Sequence, residues 1–166
     1  MIRGVHHTSL STNNFDRMVH FYRDLLGCSP VMELGWGAGN ASADAVVGLR
    51  DTAVNCVLLR AGNMFIEIFE YLHPRGAPGN PARPACDSGL THICFDVVDV
   101  DAEYERLRAA GIVFHTPPVD VHGILRTTYG RDPDGNIFEL QEIFGDDRNI
   151  SYARLGEPAA HVVPQS

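Results

Sequence analysis

The sequence predicts an α+β fold made of two copies of one unit, each a strand, a helix and then two or three further strands. Two observations carry this. The runs FIEIFE (65–70) and IFELQE (137–142) are near-copies that each set a glutamate inside a short apolar stretch. The runs that open with His7 and His92 are each followed by a helix-patterned segment ending at a glycine. His7 to Gly27 is 20 residues and His92 to Gly111 is 19, so the copies keep register across strand and helix.

In the first copy Met18, Val19, Phe21, Tyr22, Leu25 and Leu26 recur at helical spacing, with Asn14 placed to cap the start and Gly27 to end it. The strands VNCVLL (54–59) and MFIEIFEY (64–71) follow, joined by the turn Arg60–Asn63. In the second copy VDVDAEYERLRAAG forms the helix, with Asp99 or Asp101 as cap and Gly111 as stop. Its strands are expected at 112–116, 125–130 and 136–143. Gly27 to Glu67 is 40 residues and Gly111 to Glu139 is 28, so the first copy carries an insertion. The Gly/Ala-rich stretch 35–48 is the place for it, read as a loop that can close over a ligand. The resulting organisation is 1–72 for the first module, 73–89 for a Pro/Gly-rich linker, 90–144 for the second module and 145–166 for a tail or arm.

Bulk properties narrow the function. A chain of 166 residues with 45% hydrophobic and 20% charged residues buries an adequate core without staples. A formal net charge of −8 disfavours nucleic acid and anionic membrane surfaces. No apolar run approaches the length of a spanning helix, and MIRGVHH lacks a signal-like apolar region. Cys28, Cys56, Cys86 and Cys94 make neither a CxxC pair nor a disulfide framework, which fits a reduced, cytoplasmic protein.

Strand alternation assigns faces. His92, Cys94 and Asp96 point one way, and Ile93, Phe95 and Val97 point toward the helix. The same register places His7 with Ser9 and Ser11, and sends His6 to the side of Leu10. Glu67 shares its face with Phe65 and Phe69, and Glu139 with Ile137 and Gln141. A buried, unpaired carboxylate is costly. A divalent cation held by His7, Glu67, His92 and Glu139 would compensate it in both copies, and imidazole with carboxylate suits Zn, Ni, Co, Mn or Fe. Arg126 and His122, near the penultimate strand, are candidate substrate contacts.

These runs (HTSL at 7–10, FYRDLLG at 21–27, FIEIFEY, GLTHICFDVVDVD at 89–101 and DPDGNIFELQE at 132–142) resemble the vicinal oxygen chelate superfamily, the glyoxalase/bleomycin-resistance/dioxygenase group. The resemblance spans residues 5–143. It implies paired βαβββ modules whose sheets form a cupped metal cavity, with ligands at His7, Glu67, His92 and Glu139. Four protein ligands match glyoxalase I and methylmalonyl-CoA epimerase, which do proton chemistry beside a metal-held carbonyl. Extradiol dioxygenases need two His and one Glu, fosfomycin-modifying members three ligands, and bleomycin-binding members none. The strand that carries an epimerase's glutamate base offers Asn55 and Cys56 here. The leading expectation is therefore a lyase or isomerase acting on a small molecule with vicinal oxygens, with Glu67 or Glu139 as base. An Fe(II) dioxygenase and a non-catalytic binding protein stand as alternatives. Many relatives are dimers, and the metal site can lie within one chain or across two.

Overall fold

The computed structural model describes residues 2–145 and 150–155. It contains two four-stranded sheets with helices against one face of each. The first holds β1 (His7–Thr12), β2 (Ser29–Trp36), β3 (Ala53–Ala61) and β4 (Met64–His73), in the order β1-β4-β3-β2. The second holds β5 (His92–Asp96), β6 (Val119–Val121), β7 (Leu125–Arg131) and β8 (Ile137–Ile143), in the order β5-β8-β7-β6. In both sheets the first and last strands are parallel neighbours and the remaining pairs are antiparallel, so the repeat seen in the sequence is a repeat of topology.

The helices start where their caps predict. Asn14 accepts the backbone N–H of Arg17, and α1 (Phe15–Val19) follows, continuing through a π-helical turn (His20–Leu25). Phe21 and Tyr22 are both about 1% exposed in that turn, and Gly27 leaves it at φ +75°. Asp99 caps α3 (Val100–Ala109) by accepting from Ala102 N–H. Glu142 of β8 strengthens that cap, because its two carboxylate oxygens accept the N–H groups of Asp99 and Val100 at 3.1 Å each. Glu142→Ala is expected to cost about 1 kcal/mol, which a thermal melt reads as a fall of ~2–4 °C. A melt identical to wild type would show that this cap contributes nothing.

The structure differs from the sequence reading at three places. Residues 29–36 form β2, pairing with β3 from Ser29 opposite Arg60 to Trp36 opposite Val54. The 35–48 stretch is not an open loop, since it holds helix α2 (Ala41–Val47). Asn40 caps α2 through Ala43 N–H, and Asp44 fastens it by accepting from the backbone of Asp51 and Thr52. The expected strand at 112–116 is reduced to a single bridge between Phe114 and Gly130, and its place in the sheet is taken by Val119–Val121.

One apolar core joins the modules. Leu10, Val57, Leu59, Ile66 and Ile68 of the first sheet pack with Met18, Phe21 and Tyr22, and continue into Val100, Leu107, Phe138 and Leu140. Each such side chain contributes roughly 1.5–3 kcal/mol on burial. The rings of Phe21 and Phe138 meet edge-on at 5.4 Å, which ties α1 to the second sheet. Arg106 of α3 donates to the Leu25 carbonyl at 2.8 Å. Below this junction the Tyr22 hydroxyl donates to the buried carboxylate of Asp132 at 3.0 Å, and Arg17 pairs with Asp134. No helix among the described residues is long and apolar enough to cross a membrane. Most of the tail lies outside the described residues. Of the part described, Tyr152 lies against Gly62 in the β3–β4 turn.

Candidate functional site

In both sheets the face away from the helices carries a His–Glu pair. Parallel pairing of β1 with β4 sets Ser9 opposite Glu67 and His7 one step away, opposite Phe65. Glu67 Oε2 accepts from the Ser9 hydroxyl at 2.6 Å and lies 3.2 Å from His7 Nε2. In the second sheet β5 and β7 flank β8, so Cys94 and Tyr129 stand on either side of Glu139. Glu139 Oε2 lies 3.0 Å from His92 Nε2, and Oε1 accepts from the Thr127 hydroxyl. Both carboxylates are well covered, with side-chain exposures of 14% for Glu67 and 11% for Glu139. The compensation asked of each buried carboxylate is thus an imidazole and a strand hydroxyl.

The pairs are similar but not identical. Glu67 uses one oxygen for both partners, whereas Glu139 divides its two. His7 is 41% exposed and touches His6, nitrogen to nitrogen at 2.9 Å, while His92 is 28% exposed with Tyr129 tilted over it at 4.8 Å. The face predicted by alternation holds for all four residues. Their gathering into one cluster does not hold within the chain, since no group of three or more His, Cys, Asp or Glu donors forms among the described residues. Each module contributes one two-donor pair.

The chemistry of the pairs fits a divalent cation. His92 Nδ1 is buried and has no hydrogen-bond partner. If Nε2 carries the proton, the buried Nδ1 lone pair has no donor. If Nδ1 carries it, the Nε2 lone pair faces a carboxylate oxygen 3.0 Å away. A cation bound by Nε2 and the carboxylate together would remove the lone-pair repulsion of the second arrangement, leaving Nδ1–H without an acceptor among the described residues. Imidazole nitrogen and carboxylate oxygen are the donor types that would hold such an ion in either pair.

Two thiols lie beside the glutamates: burial, reinforced by Glu67, pushes Cys56 up to about 12, and partial desolvation with the Glu139 carboxylate pushes the more exposed Cys94 up to about 12. All four cysteines are free.

A family model described as Glyoxalase/Bleomycin resistance protein/Dioxygenase superfamily matches residues 4–140. The chain belongs to this superfamily. Its members include divalent-metal enzymes and bind small molecules. Among its relatives are the uncharacterized protein YaeR of Escherichia coli K12 and biphenyl-2,3-diol 1,2-dioxygenase 3 of Rhodococcus globerulus. The first is 32% identical, covering 85% of this chain and 97% of YaeR. The second is 31% identical, covering 81% of this chain and 60% of the dioxygenase. The fold is shared with a glyoxalase family protein of Bacillus cereus, at a TM-score of 0.79 and 21% identity, covering 87% of this chain and 97% of that one. The vicinal oxygen chelate assignment and its α+β pairing of modules are thereby established.

The two candidate substrate contacts, Arg126 and His122, lie on the face and in the loop that the sequence assigns them. Arg126 points to the helix side of β7, where its guanidinium grips Asp101 of α3 through two 2.8 Å bonds. Alternation puts it on the face opposite Thr127 and Tyr129, so within its own chain it does not reach the Glu139 face. His122 sits in the exposed β6–β7 turn at φ +56°, before Leu125, where β7 begins four residues from Tyr129. That is ~13 Å of strand. Ser9 and Thr127, whose hydroxyls bond the two glutamates, are site-facing side chains that the sequence reading did not single out. A small hydroxyl residue on a site-facing strand position next to a buried glutamate is the signal that would have found them.

Proposed function

We propose that this chain is a divalent-metal-dependent lyase or isomerase of the glyoxalase I or epimerase type, which moves a proton next to a carbonyl. The supporting observation is the duplicated His–Glu pair, 3.2 Å and 3.0 Å across, with a hydroxyl fixing each carboxylate. His7, Glu67, His92 and Glu139 are the residues that hold the metal. When bound, the metal supplies a Lewis acid for vicinal oxygens of the substrate. The chain's own contribution is positional. Ser9 and Thr127 orient the carboxylates, Tyr129 and Ile137 wall the His92 side, and Glu67 or Glu139 takes the proton and returns it to the same or a neighbouring carbon. Because each chain brings two donors per half, the full set forms between two copies, and the enzyme is a homodimer. Its free cysteines suit the cytoplasm.

The dioxygenase reading is favoured by one observation, the 31% identity to a named diol dioxygenase. A two-His, one-carboxylate iron site leaves Glu67 without a task. Elemental analysis of anaerobically purified wild type and Glu67→Ala separates the two. The lyase/isomerase reading expects near-stoichiometric divalent metal in wild type, several-fold less in the variant, and no oxygen uptake with catechols. Iron retained equally by both proteins, with oxygen uptake, would establish the dioxygenase. A wild-type protein that takes up no divalent metal would leave a non-catalytic binding protein.

A further inference from the structure

The Pro/Gly-rich linker roofs a cavity of about 390 Å³ between the edge strands β1 and β5, walled by Ser9, Asn80, Arg83, His92, Arg131 and Ile137 among others. The roof is fixed. A Cβ at Gly79 would run into the Asp134 backbone, and one at Gly135, where φ is +90°, would run into Pro81, so linker and β7–β8 turn are in close contact at two points. Two guanidinium groups are locked in this wall. Arg83 donates to the carbonyls of Asp87, Ser88 and Leu90, and Arg131 to those of Gly135 and Arg83, the last two at 2.8 Å.

Among the described residues neither Arg83 nor Arg131 takes part in an ion pair, as is also true of Arg3, Arg50 and Arg60, whereas Arg17, Arg23, Arg75, Arg106, Arg108 and Arg126 all do. The two acids beside Arg131 on the β7–β8 turn are committed elsewhere, while Asp87 meets Arg83 through its carbonyl. Asp134 is held by Arg17, and Asp132 accepts from Tyr22 and Asn136. Each guanidinium retains a donor, since its bonds to carbonyls among the described residues run from the terminal nitrogens and leave Nε–H free. In a chain of net charge −8, two guanidiniums without an ion pair lining one cavity are a local reversal of sign. A carbonyl supplies only a partial charge, whereas an oxyanion supplies a full one with paired acceptors.

We infer that this cavity binds the anionic group, carboxylate or phosphate, of a small molecule, through Arg83 and Arg131. Arg131 stands opposite Ile137, two residues along the strands from the Tyr129–Glu139 pair, or ~7 Å. His92 lines the cavity and also belongs to the second His–Glu pair. The anion is therefore one end of the substrate whose vicinal oxygens the metal would hold, so that the substrate class is a small oxygenated acid or phosphate ester. This last step rests on the function proposed above, and the anion site itself does not.

The test is calorimetric titration of metal-stripped protein with inorganic phosphate and, separately, malonate, at constant ionic strength set with chloride. Saturable binding of at least one anion is expected, weakened about tenfold or more in Arg131→Gln, in line with loss of one charge-assisted contact. Arg131→Gln also removes two carbonyl contacts, so Asn80→Asp serves as the second variant. Its side chain still accepts the Ala82 N–H that Asn80 accepts at 3.0 Å, but it brings a negative charge into the cavity wall. It too should weaken binding about tenfold. Tighter phosphate than malonate assigns a phosphate ester, and the reverse assigns an acid. No saturable binding of either anion, or binding unchanged in both variants, overturns the inference. Because the protein is metal-free throughout, failure here leaves the metal reading untouched, and failure of metal uptake leaves this one untouched.

Discussion

Asp132→Ala is expected to lower stability by about 3–5 kcal/mol, a fall of ~10 °C in a thermal melt. The carboxylate is 4% exposed and collects four donors: Tyr22 O–H, Asn136 side-chain N–H, and the backbone N–H groups of Asp134 and Asn136. Removing it strands all four where water cannot replace it and loosens the tie between the first helix and the second module. Asp132→Asn keeps an oxygen for the two backbone donors and should cost roughly half as much. A pH series sharpens the test. Burial raises the Asp132 carboxyl above the ordinary carboxylate range, outweighing its hydrogen bonds. The unfolded chain therefore ionises first as pH rises from about 4, which favours unfolding. The stability contributed is fully present below the unfolded value and is lost as pH rises through the folded one. The advantage of wild type over Asp132→Asn should be largest near pH 4 and narrow toward neutrality. A gap that widens with pH would show that the hydrogen bonds, rather than burial, govern this group.

Much of this architecture was legible because its signals are local. Asn14, Asp99, Gly27 and Gly111 bound their helices through chemistry confined to a few neighbouring residues. Strand alternation chose His7 over His6 and set both glutamates on the faces they occupy, since period two needs only the register of one strand. What was illegible depends on tertiary partners. Val31, Met32 and Leu34 of β2 are all exposed, so the strand shows no buried face to read. The helix in the 35–48 stretch rests on Asp44 reaching Asp51 and Thr52, seven and eight residues on. The side of β7 taken by Arg126 followed from alternation, but its partner Asp101 is supplied by α3, and that contact removes it from the site face. The strand expected at 112–116 runs into Pro117 and Pro118, which lack the N–H groups a ladder needs. The gathering of four donors is a question of how modules are arranged, and no period in a sequence encodes it.

Mixing two inactive variants should restore about a quarter of the metal sites. One variant carries His7→Ala with Glu67→Ala and the other His92→Ala with Glu139→Ala, and each alone should bind almost no divalent metal. The first retains the pair on β5 and β8, the second the pair on β1 and β4. If a site takes one pair from each of two copies, a mixed dimer has one site with both halves intact and one with both halves lost. Random reassortment makes about half of all dimers mixed, which gives about one intact site in four. If the pairs instead close on each other within a chain, every chain in the mixture is broken and recovery is zero. The same experiment separates a folding defect from a ligand defect, because a variant that fails to fold cannot lend its intact half to a partner. Recovery near a quarter would therefore establish the metal, its four ligands and the two-chain site together. Zero recovery from two folded variants, with wild type still binding metal, would place the closed site inside one chain and require the two sheets to move together on metal binding.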